Sequence, residues 1–456
     1  MALAELLPLG TDRLLTAAAV AVGYVGLCGG TVLGHLRRRA PAAATAGVDA
    51  VTVAYASQTG LGEQIARHTQ AALVAGGHAA RLVPVSALDR ATLEAGGRIL
   101  LVLATTGEGD APDAAAGFAR RVLGEDADLA RLRYGLLALG DRSYRQFCAF
   151  GLGVGEWLDR HGAQPLFPPV TVDDGDPAAL ARWQGALVAA GLAGGDAGER
   201  AWTDAAPFTT WRLVERRQLN PADAEHPAFH LAFEPVDGAR DWRAGDLARV
   251  RLPGEGGGHR DYSIASVPGE GRLMLLVRLA RRPDGTLGLG SGWLTRGLPA
   301  HGTLEIQLRA NPGFRAPPGD PPLILIGNGT GLAGLRAHLA DRVGRGAGGA
   351  WLLFGERRRA ADWFHRADIE GWVAAGTIAR LDLAFSRDQV ERVYVQHRLR
   401  AAAADLARRV DAGAAILVCG SAEGMGPAVH AVLADVLGME RLDRLAEEGR
   451  YRRDVY

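Results

Sequence analysis

The sequence contains no lysine, so the 51 side chains counted as lysine or arginine are all arginine. A guanidinium group forks onto phosphate with two hydrogen bonds and stays charged at any accessible pH, so every strongly cationic role here falls to arginine. The 51 acidic residues bring the formal net charge to zero. Because the chain lacks the basic excess of nucleic-acid-binding proteins, we expect no nucleic-acid partner.

Cysteine is nearly as scarce. Cys28, Cys148 and Cys419 are too few and too widely spaced for a disulfide framework, and a reducing compartment fits this usage best. The sequence has neither a Cys-x-x-Cys nor a His-Glu-x-x-His motif, and we expect no metal site.

The N-terminus carries a long apolar run. Residues 14–36 contain no fully charged side chain, which is enough to span a bilayer, and three arginines follow directly at 37–39. After an N-terminal segment (1–13), we therefore predict a transmembrane helix (14–36) and a linker (37–49). The positive-inside rule places the bulk of the chain in the cytoplasm, at a bacterial inner membrane. A cleaved signal peptide is the alternative, and it is disfavoured because the basic residues follow the apolar core.

The remaining chain, with 48% hydrophobic and 22% charged residues overall, is typical of globular domains. Over residues 50–190, apolar runs such as VTVAYAS, RILLVLATT and YGLLALG alternate with amphipathic segments. This alternation predicts a doubly wound α/β domain with a parallel sheet, whose ligand lies at the carboxyl ends of the strands.

Three loops at predicted strand ends carry hydroxyl groups and glycines. The first opens a helix and suits a phosphate group, and the third offers an aromatic ring for stacking on a flat ligand. The candidate residues are Ser57, Gln58, Thr59, Gly60, Leu61, Gly62 and Glu63; Thr105, Thr106, Gly107, Glu108 and Gly109; and Leu139, Gly140, Asp141, Ser143 and Tyr144.

Residues 191–206 read as a Gly/Ala-rich linker, and the pattern then changes to short alternating runs over 207–318. These runs predict an antiparallel β-barrel. One strand presents Arg260, Tyr262 and Ser263, a guanidinium, a flat ring and a hydroxyl. A later glycine-rich helix start suits a pyrophosphate, and its residues are Gly288, Leu289, Gly290 and Ser291.

Residues 319–456 begin with a buried strand, a glycine turn at 329–331 (Gly329, Thr330, Gly331) and a helix, which predicts a Rossmann-like domain. A cluster with two arginines follows a later strand, at the place where a Rossmann-like domain binds an adenosine ribose. A site for NAD favours a carboxylate there, whereas this cluster favours a dianionic phosphate. Its residues are Ser386, Arg387, Arg392, Tyr394 and Gln396.

These motifs, in this order, resemble those of the diflavin reductases, a family that includes cytochrome P-450 reductase and the flavoprotein subunit of sulfite reductase. The resemblance covers nearly all of 51–456 and implies FMN in the first domain, FAD in the barrel and NADPH in the last. It adds Phe147 to the FMN loops. It also implies that Ser263 lies near the flavin N5, that Cys419 packs on the nicotinamide beside Asp454, and that Tyr456 covers the FAD ring.

The implied function is an NADPH-dependent oxidoreductase passing electrons from NADPH to FAD, then FMN, then a haem protein or other one-electron acceptor at the membrane. One alternative is the electron-donating flavoprotein of a sulfite reductase, with its haemoprotein as partner, or of a ferric or quinone reductase. A redox sensor without turnover is the other.

The chain departs from cytochrome P-450 reductases at one place. In those proteins a helical connecting domain interrupts the FAD barrel, whereas here only a short loop precedes Arg260. Transfer from FAD to FMN must then rely on the 191–206 linker, on direct docking of the domains or on a neighbouring chain.

Overall fold

The computed structural model describes residues 50–107, 109–142, 145–194, 206–237, 241–254 and 258–456. From Val51 to Tyr456 the chain forms one compact unit, and its described residues contain three β-sheets that follow one another in sequence. Glu108, Ser143 and Tyr144, all predicted to contact a ligand, lie outside the described residues.

The first sheet is wholly parallel, with strand order β2-β1-β3-β4-β5 and β6 also paired with β4. Its strands are β1 (Val51–Ala56), β2 (Ala80–Pro84), β3 (Gly97–Ala104), β4 (Leu132–Gly140), β5 (Gln164–Pro165) and β6 (Val170–Asp173). Its helices are α1 (Leu61–Ala75), α2 (Arg90–Glu94), α3 (Asp113–Val122), α4 (Ala149–Arg160) and α5 (Pro177–Ala189).

Both faces of this sheet are buried under helices. Neighbouring strand residues point to opposite faces, so Leu100 packs with Trp183 of α5 while Leu101 packs with Phe118 of α3. This is why the strands read as continuous apolar runs rather than as an alternating pattern. The predicted doubly wound parallel sheet is confirmed.

The second sheet is antiparallel, with strand order β10-β9-β12-β7-β8-β11. Its strands are β7 (Thr209–Gln218), β8 (Ala228–Pro235), β9 (Leu247–Arg251), β10 (His259–Ser263), β11 (Leu273–Arg278) and β12 (Thr303–Arg309), and α6 (Leu289–Gly292) is a short helix between β11 and β12. A bridge between Ile264 and Leu275 joins the two edges of the sheet around an apolar core. Residues 252–258 join β9 directly to β10, its antiparallel partner.

The third sheet is parallel again, with order β15-β14-β13-β16-β17. Its strands are β13 (Leu323–Asn328), β14 (Ala350–Glu356), β15 (Ile378–Phe385), β16 (Ala415–Gly420) and β17 (Tyr451–Val455). Its helices are α7 (Leu332–Gly344), α8 (Arg359–Asp362), α9 (Arg366–Ala374), α10 (Val395–Ala401), α11 (Ala403–Asp411), α12 (Met425–Leu437) and α13 (Met439–Glu447).

The predicted membrane localisation needs correction. The longest helix in the described part of the chain is α1, with 15 residues, whereas a membrane span needs about 20 apolar residues. No helix among the described residues is both long and apolar enough to cross a bilayer. The transmembrane helix predicted over 14–36 lies outside the described residues. The predicted localisation at a membrane through a single-pass anchor is corrected on this finding, because no helix in the described part of the chain supports it.

Candidate functional site

A cavity of about 660 Å³ opens at the carboxyl ends of the strands of the third sheet. Such an edge is where open α/β sheets bind ligands. The cavity brings together nine of the residues predicted from the sequence. They are Gly329, Thr330, Gly331, Ser386, Arg387, Arg392, Tyr394, Gln396 and Tyr456.

The glycine turn after β13 fits closely against the end of β16. A Cβ atom at Gly331 would lie 2.3 Å from the carbonyl oxygen of Cys419, so no larger residue fits without moving that strand end. Gly329 has φ +57°, a left-handed conformation that favours glycine. The turn therefore keeps the backbone open to the cavity, where a ligand can approach it.

Backbone pairing fixes the arginine cluster beyond β15. The Ser386 amide donates to the Glu356 carbonyl at 2.9 Å and the Arg387 amide to the Arg357 carbonyl at 2.8 Å, which continues the ladder past the strand end. Ser386 is buried. The Glu225 carboxylate approaches both Arg357 (3.1 Å) and Arg387 (3.4 Å). One carboxylate thus holds two guanidinium groups at the edge of the cavity.

Three of the residues that shape this cavity were missed by the sequence analysis. Arg357 and Glu356 line it and follow directly in the apolar run WLLFGER, which the analysis used only to place a strand. Arg278 enters from β11 of the second sheet and pairs with Glu356. Its contribution depends on how the two sheets pack, and no local pattern in the sequence signals it.

Ser263, Cys419 and Asp454 meet where the second and third sheets join. The Ser263 hydroxyl donates to Asp454 Oδ2 at 2.6 Å, and Cys419 Sγ lies 3.7 Å from the same oxygen. Strand pairing sets this arrangement, because Cys419 of β16 is the register partner of Asp454 of β17. Three side chains that come from separate sequence motifs thus form one group.

Burial shapes the chemistry of this group. Burial and the Asp454 carboxylate raise the pKa of Cys419 well above its usual range, so the thiol stays protonated and acts by packing rather than as a nucleophile. Burial also raises the pKa of Asp454, while the hydrogen bonds from Ser263 and Cys419 oppose that shift. A partly buried carboxylate interacts more strongly with a neighbouring positive charge than an exposed carboxylate does.

A second cavity, of about 860 Å³, lies against the first and reaches all three sheets. Arg260, Tyr262 and Ser263 line it from the second sheet, with Asp454 and Tyr456 from the end of the chain. Burial raises the pKa of Tyr262 to about 12, so its phenol stays protonated and neutral. The cavity offers a flat ring and a guanidinium to a large planar ligand with a phosphate group.

The predicted pyrophosphate turn lies beside this cavity rather than in its lining. A Cβ atom at Gly290 would be 2.6 Å from the Tyr262 hydroxyl, so glycine is what lets the phenol approach. The Ser291 hydroxyl accepts from the Ala280 amide at 3.1 Å. Gly288 closes the same turn through its amide to the Ala280 carbonyl, and Leu289 is exposed.

The loop after β1 is closed by its own hydroxyl group. Ser57 Oγ accepts from the amides of Gly60 (3.0 Å) and Gly62 (3.1 Å), and Gly60 has φ +85°. Helix α1 begins at Leu61, with Glu63 in its first turn. Thr59 lies within the same turn. A serine hydroxyl can donate one hydrogen bond as well as accept, so Ser57 keeps the capacity to donate to a ligand.

The other two loops of the first sheet also fit a ligand. Thr105 Oγ1 is buried and has no hydrogen-bond partner in the described part of the chain, which is unusual unless a ligand completes it. The backbone of Thr106 bonds to Asp110 and turns the chain through Gly107 and Gly109. After β4, whose last residues are Leu139 and Gly140, Asp141 lines the second cavity, and Arg142 stacks on the Phe147 ring at 4.4 Å.

Among the described residues, no group of side chains could hold a metal ion. The chemistry of the site instead matches organic ligands. A cavity with converging arginines suits a phosphorylated nucleotide, and an adjoining cavity with a buried phenol suits a flat ring system.

Known proteins support this interpretation. Residues 53–183 match the Flavodoxin family. The chain is 30% identical over 446 residues to a protein of Thiocapsa roseopersicina named sulfite reductase (NADPH) flavoprotein alpha-component, covering 86% of this chain and 85% of that protein. Proteins of the same name are 26% identical in Bacillus subtilis, over 561 residues (94% of this chain, 92% of that protein), and in Vibrio cholerae, over 544 residues (91% and 88%).

The last two alignments are longer than the 456 residues of this chain, so those relatives carry sequence that is absent here. The similarity nevertheless runs through all three sheets, because it covers nine tenths of the chain. This chain belongs to the diflavin reductase family, the family of the sulfite reductase flavoprotein alpha-components.

Proposed function

We propose that this protein is an NADPH-dependent flavoprotein oxidoreductase that passes electrons from NADPH through FAD and FMN to the haemoprotein of a sulfite reductase. The observation that carries the proposal is the join between the two cavities. Thr330, Arg278 and Tyr456 line both of them, and the Ser263–Asp454 hydrogen bond lies where they meet. A nucleotide in one cavity can therefore reach a flavin in the other.

We assign one cofactor to each of the three sheets, in the order that the family resemblance implies. FMN is assigned to residues 50–190, FAD to 207–318 and NADPH to 319–456, with 191–206 as the linker. The cofactors supply the redox chemistry: NADPH gives up a hydride, two electrons with one proton, and the flavins pass the electrons on singly. The protein supplies position, electrostatics and exclusion of water.

The group at the join has separate tasks in this proposal. Asp454 stabilises the positive charge that develops on the nicotinamide as the hydride leaves, and Ser263 orients that carboxylate. Cys419 packs against the nicotinamide. Tyr456 is 54% exposed, and its side chain moves aside to admit the nicotinamide.

The arginine cluster gives the preference for NADPH. Arg387 and Arg392 bind the 2′-phosphate with Ser386, and Tyr394 and Gln396 contact the adenosine end. In the flavodoxin-like region, Ser57 and its loop bind the FMN phosphate, and the loops after β3 and β4 flank the flavin ring. The buried Thr105 hydroxyl has no hydrogen-bond partner among the described residues, and this supports a bound ligand there.

The name shared by the relatives supports one acceptor among those considered. It favours a sulfite reductase haemoprotein over a membrane-bound haem protein, a ferric reductase or a quinone reductase. A redox sensor without turnover is less well supported, because it has no use for a buried carboxylate held between a nucleotide cavity and a flavin cavity.

Flavin release and rapid kinetics test the proposal. We expect one FAD and one FMN for each chain, and anaerobic NADPH should bleach the flavin absorbance within a second. Addition of a sulfite reductase haemoprotein should then restore it. A protein that holds both flavins and is not bleached by NADPH would contradict the enzymatic function, whereas bleaching without haemoprotein reduction would contradict only the acceptor.

A further inference from the structure

The flavodoxin-like region (residues 50–190) is held against the rest of the molecule by a buried charge pair at the C-terminal strand. Arg453 Nε donates to Asp113 Oδ1 at 2.7 Å, and Arg453 Nη2 also contacts that oxygen. Their side chains are 24% and 9% exposed. Asp113 is the first residue of α3, whereas Arg453 lies in β17, 340 residues later.

We infer that Arg453 is a positioning residue that docks the flavodoxin-like region for electron transfer from FAD to FMN. The inference rests on the proposed function, because it assumes a flavin on each side of this contact. It assigns to one partly buried guanidinium group part of the task that a helical connecting domain has in cytochrome P-450 reductases.

Hydrogen bonds through Gln58 connect the pair to the loop assigned to the FMN phosphate. Gln58 Nε2 donates to the Arg453 carbonyl at 2.8 Å, and Gln58 Oε1 accepts from the Asp113 amide at 3.2 Å. Gln58 Nε2 also lies 3.3 Å from Asp113 Oδ2, so loss of the Arg453 side chain removes the charge pair and leaves Gln58 as a remaining partner of that carboxylate. The docking contact and the phosphate loop form one network.

Strand geometry ties the same contact to the nicotinamide group. Neighbouring residues of a strand point to opposite faces, and Asp454 reaches Ser263 on one face while Arg453 reaches Asp113 on the other. The carboxylate beside the nicotinamide and the docking guanidinium are thus adjacent in β17. A shift of this strand moves both.

Burial distinguishes this pair from the exposed Arg121–Glu447 pair, which joins the same two regions. Burial alone would lower the pKa of Arg453, but the Asp113 carboxylate more than offsets it and leaves the pKa raised. By contrast, the Arg121 side chain, paired with Glu447 at 2.8 Å, is 51% exposed, and exposed pairs contribute little. Removing one partner of a buried pair leaves an uncompensated charge.

Close backbone contacts accompany the pair. A Cβ atom at Gly313 would fall 1.7 Å from the Gln58 carbonyl oxygen, and one at Gly60 would fall 2.8 Å from the Pro312 ring. The two surfaces therefore fit without space for added atoms. Such close contacts fix the position of the flavodoxin-like region against the rest of the molecule.

Anaerobic stopped-flow kinetics of the holoprotein test the inference with three variants. Arg453→Met should slow the second phase, FMN reduction, about tenfold and leave the first phase, FAD reduction by NADPH, within about twofold, because interflavin transfer depends on distance and orientation. The double variant Arg453→Asp/Asp113→Arg should recover most of the lost rate. Arg121→Met is the matched control at the exposed pair and should change neither phase by more than about twofold.

Hydrogen exchange supplies a readout that is independent of turnover. Arg453→Met should speed exchange in residues 57–62 and 311–314 and leave strands β1 and β13 protected, which also verifies that the variant folds. An unchanged second phase, equal slowing of both phases, or unchanged exchange at 57–62 would overturn the inference. Failure of NADPH to reduce FAD in the unaltered protein would instead contradict the proposed function, and the exchange result would still decide the docking role.

Discussion

Arg387→Ala is the most direct test of how the protein chooses its nucleotide. NADPH and NADH differ only in the 2′-phosphate, so a change confined to that group's site should affect one nucleotide and spare the other. Arg387 lines the nucleotide cavity beside buried Ser386, and the nearest carboxylate to it is Glu225, 3.4 Å away. The substitution removes one guanidinium group and leaves Arg392 and Arg357 in the same cavity.

The magnitude follows from the exposure of the side chain. A hydrogen bond to a charged group contributes about 1.5–3 kcal/mol. Arg387 is 43% exposed, so solvent screening favours the lower end, about 1.5 kcal/mol. That corresponds to about a tenfold rise in the KM for NADPH. The kcat should stay nearly constant, because the contact is the same in the ground state and the transition state.

Steady-state reduction of ferricyanide by NADPH and by NADH, at one fixed ionic strength, measures both values. Arg400→Ala is the matched control, because Arg400 is 56% exposed and pairs with Asp435 outside the cavity. Equal losses with NADPH and NADH, or a lower KM for NADH than for NADPH in the unaltered protein, would refute the assignment of the cluster to the 2′-phosphate.

Three further predictions concern single groups. Glu225→Gln should lower the KM for NADPH about threefold in the same assay, because the phosphate no longer displaces an exposed carboxylate; an unchanged KM contradicts this. Asp454→Asn should slow FAD reduction about 100-fold in stopped flow. It should also raise the melting temperature by about 2 °C at pH 7. Burial raises the pKa of Asp454, so its ionised form costs stability as pH rises, and the gain should vanish below the ordinary carboxyl range. His338→Gln should reduce the loss of unfolding free energy, measured by urea titration, as the pH falls from 6.5 to 4. Burial lowers the pKa of His338 from 6.5 to about 4, so the stability present above pH 6.5 falls by about 3 kcal/mol toward pH 4, and an unchanged slope contradicts this.

The parallel sheets were predictable because their signal is local. Each buried strand is a short apolar run, and its end is marked by a change to hydroxyl, glycine or charged residues. The run before Ser386 ends at Phe385 in the structure, so the cluster falls at the edge of the sheet where the sequence analysis expected it. The parallel topology then brings distant strand ends to one edge without further information.

Contacts between sheets were not predictable in the same way. Arg278 ends strand β11, whereas Arg357 and Glu225 lie in connections, and their proximity depends on how the second sheet packs on the third. Arg453 looks in the sequence like any basic residue near a C-terminus. Its partner Asp113 looks like an ordinary acidic residue in the first turn of a helix, which is favourable there for a reason unrelated to docking.

The C-terminal strand explains why the end of this chain is ordered rather than frayed. The Tyr456 amide donates to the Gly420 carbonyl and its own carbonyl accepts from Ala422, so the ladder with β16 continues to the last residue. With the backbone fixed on that side, side chains at 453, 454 and 456 each enter a different set of contacts. Under the proposed function, docking, charge stabilisation and access to the second cavity are therefore linked through one strand, and a change at any of the three positions should be assayed for effects on the other two.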